Sequence, residues 1–387
     1  MFEIGPLLIQ AFTYARQFLT TLGATPLQAV VGIKFLQTTL TISIILAIPL
    51  FLVYAERKIS AFMQARLGPM HTGPWGLLQT PADTIKLLFK EDIVPQGADR
   101  LLHLLAVILA AAPVFVCFAP VPWGTGFPLI NLDTGILFVF AVSGVSTLGI
   151  LAAGWGSGNK FSMLGGLRGA AQMVSYEIPR ALSVVPVVLF YSSLNLQTIA
   201  TAQMERWHGW MPKWFIFYPG IGQIAFIVFL IASVAETNRI PFDIPEAESE
   251  LVSGYHTEYS GMKFAFFFLA EYVYVFLSSA LVTTLFLGGA DGAAFLPSWM
   301  WFLGKTLLIV FLFLWFRWTF PRLRVDRLMQ FCWQFLLPLA LVNIVLTVGW
   351  MMCKTPSQDV LPTPAAIPSS EMHGSPDDAG VTKAVEK

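Results

Sequence analysis

FIFYPGIGQIAFIVFLIASVAETNRIPFDIPEAESELVSGYHTEYSGMKFAFFFLAEYVYVFLSSALVTTLFL, residues 215–287, decides how this chain folds. Its two apolar runs, 215–235 and 264–287, contain one Asp, Glu, Lys or Arg between them, Glu271. A helix crossing a hydrocarbon layer of about 30 Å needs roughly 20 apolar residues at 1.5 Å each, and both runs meet that requirement. Between them, residues 236–258 hold Glu236, Asp243, Glu246, Glu248, Glu250 and Glu258 against a single base, Arg239. Pro241 and Pro245 break any continuous helix in the first half of this segment. The stretch therefore reads as two membrane spans joined by a compact acidic loop.

The same signal recurs along the chain. Spans are expected at 33–54, 102–120, 134–154, 169–190, 215–236, 264–287, 299–316 and 330–352. Composition agrees: 56% of the 387 residues are hydrophobic and 12% charged, about half the charge density of an ordinary soluble domain. The expected fold class is all-α, a polytopic membrane bundle of about eight transmembrane helices plus one in-plane amphipathic helix. That last helix is read at 75–92, where Leu77, Leu78, Pro81, Ile85, Leu88 and Phe89 share one arc and Asp83, Lys86 and Lys90 lie opposite. Residues 1–30 form an N-terminal segment resembling a surface helix, 31–352 the bundle, and 353–387 a Pro- and Ser-rich tail expected to be disordered.

Loops 55–100, 155–168, 239–263 and 317–327 carry fourteen Lys and Arg, whereas 121–133, 191–214 and 288–298 carry two, Arg206 and Lys213. This bias places the first set of loops in the cytoplasm and both termini outside. Zero net charge gives no field that would favour nucleic acid. Cys117, Cys332 and Cys353 are far apart and cannot by themselves ligate an iron–sulfur cluster, so all three are read as core residues and no metal site is expected. No glycine-rich nucleotide loop follows a strand, and no internal repeat suggests a transporter.

Ionisable groups inside spans cost about 3 kcal/mol each on insertion scales and normally face protein or water. Glu271 has no basic neighbour within a turn, which favours a protonatable role. Glu177 precedes Arg180 by three residues, so either an ion pair with that arginine or a proton-carrying role is open to it. Lys305 is expected to snorkel beside Trp299 and Trp301. The acids of 236–258, if packed together, would raise one another's pKa values and titrate as a set.

Four stretches carry a resemblance: AERKISAFMQARLGP at 55–69, GLLQTPADTIKLLFKED at 76–92, GGLRGAAQMVSYEIPRALS at 165–183 and AETNRIPFDIPEAESELVSGYHTEYSGMKFAFFFLAEY at 235–272. Together they resemble the H-subunit family of bacterial NADH:quinone oxidoreductase, respiratory complex I, over roughly residues 30–350. The resemblance implies a membrane-arm subunit that couples quinone reduction to proton translocation in the bacterial inner membrane. It implies a quinone chamber at or near Arg57, Arg66, Arg239, Phe242 and Asp243. It implies a proton channel through Glu177, Glu236, Glu246, Glu248 and Glu271, with Asp83, Arg168 and Glu250 in support.

The implied partners are soluble subunits carrying the terminal iron–sulfur cluster and the quinone headgroup site, small and antiporter-like membrane subunits, and lipid. FMN and the iron–sulfur clusters would belong to those other subunits, with quinone as substrate and no cofactor held by this chain alone. Members commonly read GPNRVGP where this chain has GPMHTGP at 68–74, and Ile240 stands where a threonine is common. Two other classes remain open at this point: the anchor protein of a related membrane-bound hydrogenase complex, and a stand-alone proton-linked transporter.

Overall fold

In the computed structural model, the described residues are 14, 25–124, 130–207, 211–245, 248–292 and 296–353. Residues 1–13 and 15–24 of the N-terminal segment, and the tail beyond Cys353, lie outside them. Nine principal helices are described: α1 (Pro26–Met63), α2 (Gln79–Phe89), α3 (Arg100–Val116), α4 (Gly135–Gly156), α5 (Lys160–Tyr191), α6 (Ile221–Glu236), α7 (Gly261–Phe286), α8 (Ser298–Thr319) and α9 (Val325–Cys353). α9 contains a π-helical turn at Cys332–Leu336. A two-residue ladder pairs Arg206–Trp207 with Met211–Pro212, and the described fold is otherwise helical. Six helices, α1, α4, α5, α7, α8 and α9, are long and apolar enough to cross a membrane. The shorter apolar helices α3 and α6 complete the eight runs read from the sequence.

Helix ends follow local chemistry. Thr25 and Gln28 form a reciprocal capping box ahead of Pro26. The Asp99 carboxylate accepts from the Leu101 and Leu102 amides and starts α3. α5 begins nine residues earlier than its apolar run, because the Asn159 side chain caps it and the small residues of GGLRGAA let it lie against α4. α6 begins later than its run: a 3₁₀ turn at Phe215–Phe217 and Gly220 at φ 79° delay it until Ile221.

α7 is the axis of the bundle, with every residue from Tyr272 to Phe286 buried. Phe229, Val273, Leu277, Phe286, Phe302 and Phe313 lie in the main core around it. A second cluster joins α3, α4, α5, the loop before α7 and α7 itself through Ala110, Ala153, Met173, Tyr255, Tyr259 and Phe267. His103, at the start of α3, stacks on Tyr259 with ring centroids 3.9 Å apart.

At the end of α7 remote from Glu271, the Lys305 ammonium donates to the carbonyls of Leu287 (2.7 Å), Gly289 (3.2 Å) and Asp291 (2.5 Å), and lies 4.1 Å from the Trp214 ring centroid. It closes the end of α7 instead of snorkelling beside Trp299 and Trp301, since three carbonyl acceptors satisfy the ammonium within the fold. Cys117 and Cys332 are buried as expected, but Cys353 is exposed at the end of α9, where the chain has left the core.

α2 starts at Gln79, so Pro81 falls in its first turn, where no helical hydrogen bond is lost. Its apolar residues Ile85, Leu88 and Phe89 point away from the bundle, while Asp83 faces α1. This orientation is the inverse of a soluble amphipathic helix and suits a hydrocarbon environment outside.

Close helix approach depends on glycine. A Cβ on Gly149 of α4 would lie 2.3 Å from the Ala110 backbone nitrogen in α3. Gly149→Ala is therefore expected to push α3 and α4 apart and destabilise the fold by about 1–3 kcal/mol. Gly304→Ala, with no atom within 4 Å of the added carbon, serves as the control. Thermal unfolding of the detergent-solubilised protein should lower its midpoint for the first substitution and leave it in place for the second.

Candidate functional site

α6 has 16 residues, or about 24 Å of helix, which is shorter than a hydrocarbon layer. Its C-terminal Glu236 and the following turn are consequently enclosed by other helices: Glu236, Thr237, Arg239, Phe242 and Ile244 are all buried. Asn238 takes a left-handed conformation at φ 52°, the Ile240–Pro241 peptide is cis, and the Phe242 amide donates to the Arg239 carbonyl at 2.8 Å. The Leu323 amide, beyond α8, donates to Pro241 and ties the turn to the opposite loop. Farther on, Ser162 donates to the Tyr255 carbonyl and the Asn159 amide to Glu258. The segment is packed, and burial pushes the His256 imidazole down to about 4, so this side chain is neutral near pH 7.

The turn carries Arg239 into a four-charge cluster. Its Nη1 lies 2.8 Å from Glu56 of α1 and its Nε 2.6 Å from Glu271 of α7. Arg317, in the last turn of α8, donates to the other oxygen of Glu56, and the Tyr272 hydroxyl donates to Glu56 at 2.8 Å. The Arg239 guanidinium also sits 4.3 Å from the centroid of the Tyr272 ring. Two carboxylates and two guanidinium groups balance, which is the condition under which buried charges persist.

A second buried set lies at the end of α6. Arg180 of α5 donates to Glu236 and to the Tyr274 hydroxyl (2.8 Å), while that hydroxyl donates to the other Glu236 oxygen. The rings of Phe140, Phe229 and Tyr274 surround the guanidinium at 5.3–5.7 Å. Arg180 thus pairs with Glu236 and not with its helical neighbour Glu177. Glu177 is half-buried, with its carboxylate against Gly144 of α4.

Between the two sets lies a cavity of about 40 Å³ bordered by Ser146, Glu236, Asn238, Glu271 and Tyr274. It has room for a short file of waters at about 10–15 Å³ of such volume each. A larger cavity of about 600 Å³ opens between α1, α2 and α7. Arg57, Asp83, Lys86, Phe268, Leu269 and Tyr272 line it, and Arg57 pairs with Asp83 at 2.6 Å. Tyr272 belongs to both places, as a wall of the large cavity and as a donor to Glu56.

Among the described residues, Glu236, Asp243 and Glu250 each meet a base from another element and do not crowd one another. Glu236 has Arg180, Asp243 has Arg322 at 2.8 Å, and Glu250 has Arg168 at 2.7 Å near the surface. A basic partner from another element lowers the energy of each more than a shared acidic patch would. Glu246 lies outside the described residues, as does the side chain of Glu248, which opens a one-turn helix. Arg239 and Glu271 are brought together, and so are Arg57 and Asp83. Phe242 packs on Tyr176, with ring centroids 5.6 Å apart. Arg66 is exposed, bonds Gln64 at 2.6 Å and borders neither cavity. Among the described residues, no group of three or more His, Cys, Asp or Glu is placed to hold a metal.

Sequence reading missed Glu56, Arg317, Tyr272 and Tyr274. An acid closing an apolar run, as Glu56 does, and a base closing another, as Arg317 does, were the signals that could have found the first two.

Comparison with known proteins matches residues 36–348 to the NADH dehydrogenase family. The H subunit of NADH-quinone oxidoreductase from Geobacillus kaustophilus is 50% identical over 330 residues, covering 84% of this chain and 96% of that protein. Its counterpart in Bacillus cytotoxicus is 54% identical over 299 residues, 76% of this chain and 87% of the relative.

Truncating one side of a buried ion pair costs about 3–5 kcal/mol, because the other charge is left uncompensated. Glu56→Gln should therefore destabilise the protein by about 3 kcal/mol or more, whereas Glu250→Gln, at an exposed pair, should cost under about 1 kcal/mol. Unfolding midpoints of the two purified variants would test this ordering.

Proposed function

The chain belongs to the NADH dehydrogenase family, as an H subunit of NADH-quinone oxidoreductase, and from that premise we propose that its two cavities and two ionic clusters form one path from quinone to membrane interior. As a membrane component of an oxidoreductase complex it has no need of redox centres of its own; FMN and iron–sulfur clusters reside in partner subunits. The 600 Å³ cavity between α1, α2 and α7 admits a quinone from the lipid, its apolar walls meeting the tail and its Arg57–Asp83 end leading toward the headgroup. Arg239, Phe242 and Asp243 lie beyond that entrance, with Arg66 on the outer rim of the chamber, facing soluble partners. Those partners, including the one with the terminal cluster, dock on the basic loops, which we place in the cytoplasm. Small and antiporter-like membrane subunits cover the lateral faces. The stand-alone transporter reading lacks support, because the relatives are named as subunits.

Reduction adds two electrons and two protons to the quinone. Electrons arriving ahead of protons create negative charge in a chamber of low dielectric, where interactions are weakly screened. That charge competes with Asp83 for Arg57 and with Glu56 for Arg239 and Tyr272. A proton reaching the Glu56–Glu271 cluster can pass through the small cavity to Glu236 and on toward Glu177, which faces α4. Glu246, Glu248 and Glu250 of the same acidic segment belong to the channel in this proposal, with Asp83 and Arg168 as supports.

One observation carries this reading: the Tyr272 ring borders the large cavity while its hydroxyl bonds Glu56 at 2.8 Å, and its neighbour Glu271 borders the small cavity shared with Glu236. In the assembled complex, Glu271→Gln and Glu236→Gln should each lower NADH:quinone turnover by about tenfold or more, the usual scale for losing a positioned proton-transfer group. NADH oxidation by an artificial acceptor at the soluble subunits should be unchanged. Wild-type quinone turnover and proton pumping in both variants would end the proposal.

A second expectation concerns the entrance. Filling the large cavity with Ala265→Trp should raise the KM for a long-tailed quinone more than for a short-tailed analogue, because Ala265 borders the cavity. Equal KM changes for the two substrates would place the entrance elsewhere.

A further inference from the structure

Gln172 of α5 is fully buried, and its amide nitrogen meets three acceptors: the carbonyl of Ala235 at 2.7 Å, the carbonyl of Phe242 at 2.7 Å and the Oδ1 of Asn238 at 3.3 Å. Ala235 lies in the last turn of α6, where carbonyls have lost their helical donors. Phe242 is the residue whose amide closes the turn onto Arg239. The three acceptors therefore bracket Arg239 on both sides, and a single side chain from another helix fastens both feet of the turn. The tip of that turn is the guanidinium that reaches Glu56 and Glu271. Gln172 itself makes no described hydrogen bond to either carboxylate.

We infer that Gln172 is a positioning residue for quinone-linked proton transfer, setting Arg239 between Glu56 and Glu271 by holding the two ends of the turn that carries it. The inference rests on the functional reading above and adds a residue to it. The physical basis is distance. Charge interactions in a weakly screened interior change steeply over an ångström, and Arg239 is the shared cation of two carboxylates from different helices. A turn whose feet separate lets the guanidinium drift toward one carboxylate and leave the other. The amide is suited to this task because it supplies donors without adding charge beside a cluster that is already balanced. A lysine would add charge, and a carboxylate would face two carbonyls with lone pairs only.

The test uses Gln172→Met, which keeps length and removes the donor, and Gln172→Glu, which replaces the donor with an acceptor. Both are made in the assembled complex in native membranes. Activity is expressed per assembled complex, counted by NADH oxidation with an artificial acceptor. Quinone turnover should fall about tenfold in the Glu variant and about threefold in the Met variant, below the roughly 100-fold that a full ångström of misplacement can cost. The KM for quinone should stay as in wild type. The acid limb of the pH profile should move to higher pH, because a cation held beside carboxylates keeps them ionised and a displaced one does so less.

If turnover per complex and pH profile remain those of wild type, the inference is overturned, even where the amount of complex falls, since the amide would then serve assembly alone. The Met variant carries the test should the Glu variant not assemble. Glu271→Gln in the same membranes separates the two levels. Loss of activity there with unaltered Gln172 variants removes only the positioning role, whereas unaltered activity in Glu271→Gln removes the proton path itself.

Discussion

A helix that stops short is the constraint on which the rest of the molecule depends. α6 provides about 24 Å where about 30 Å is needed, so backbone outside the helix has to complete the crossing. Irregular backbone survives there only inside protein or along a polar cavity. α5 and α7 meet this requirement from both sides, with Arg180, Tyr274 and Gln172 supplying donors to the helix end and its turn. The polar interior of the protein follows from a deficit of helical length.

Charge balance then fixes which residues meet. Arg239 enters with one positive charge, Glu56 and Glu271 bring two negative ones, and Arg317 restores neutrality. Four segments are involved: α1, the turn after α6, α7 and the end of α8. Removing any of these groups leaves an uncompensated charge, so the cluster organises the bundle.

The eight apolar runs were legible because lipid imposes a length requirement that composition cannot hide, and α2 was legible from its arc of apolar residues. The start of α5 was not, since residues 160–168 become helical through glycine contacts with α4 and not through apolar periodicity. The acidic segment was legible as packed, but its pairing was not. Arg239 with Glu56 and Arg317 with Glu56 join residues 183 and 261 positions apart, and no spacing rule reaches that far. Glu177 shows how little a local neighbour decides. The local partner at i+3 was present, yet Arg180 turned to Glu236 because a buried carboxylate at a helix end has the greater need of a cation.

The Lys305 ammonium, seated on three carbonyls after α7, gives that helix unequal ends. One end is pinned by a single cation to the neighbouring α8; the other carries Glu271, paired with Arg239 from the turn after α6. Because every residue from Tyr272 to Phe286 is buried, α7 ties this carbonyl-bound ammonium at one end of the bundle to the Arg239–Glu271 pair at the other.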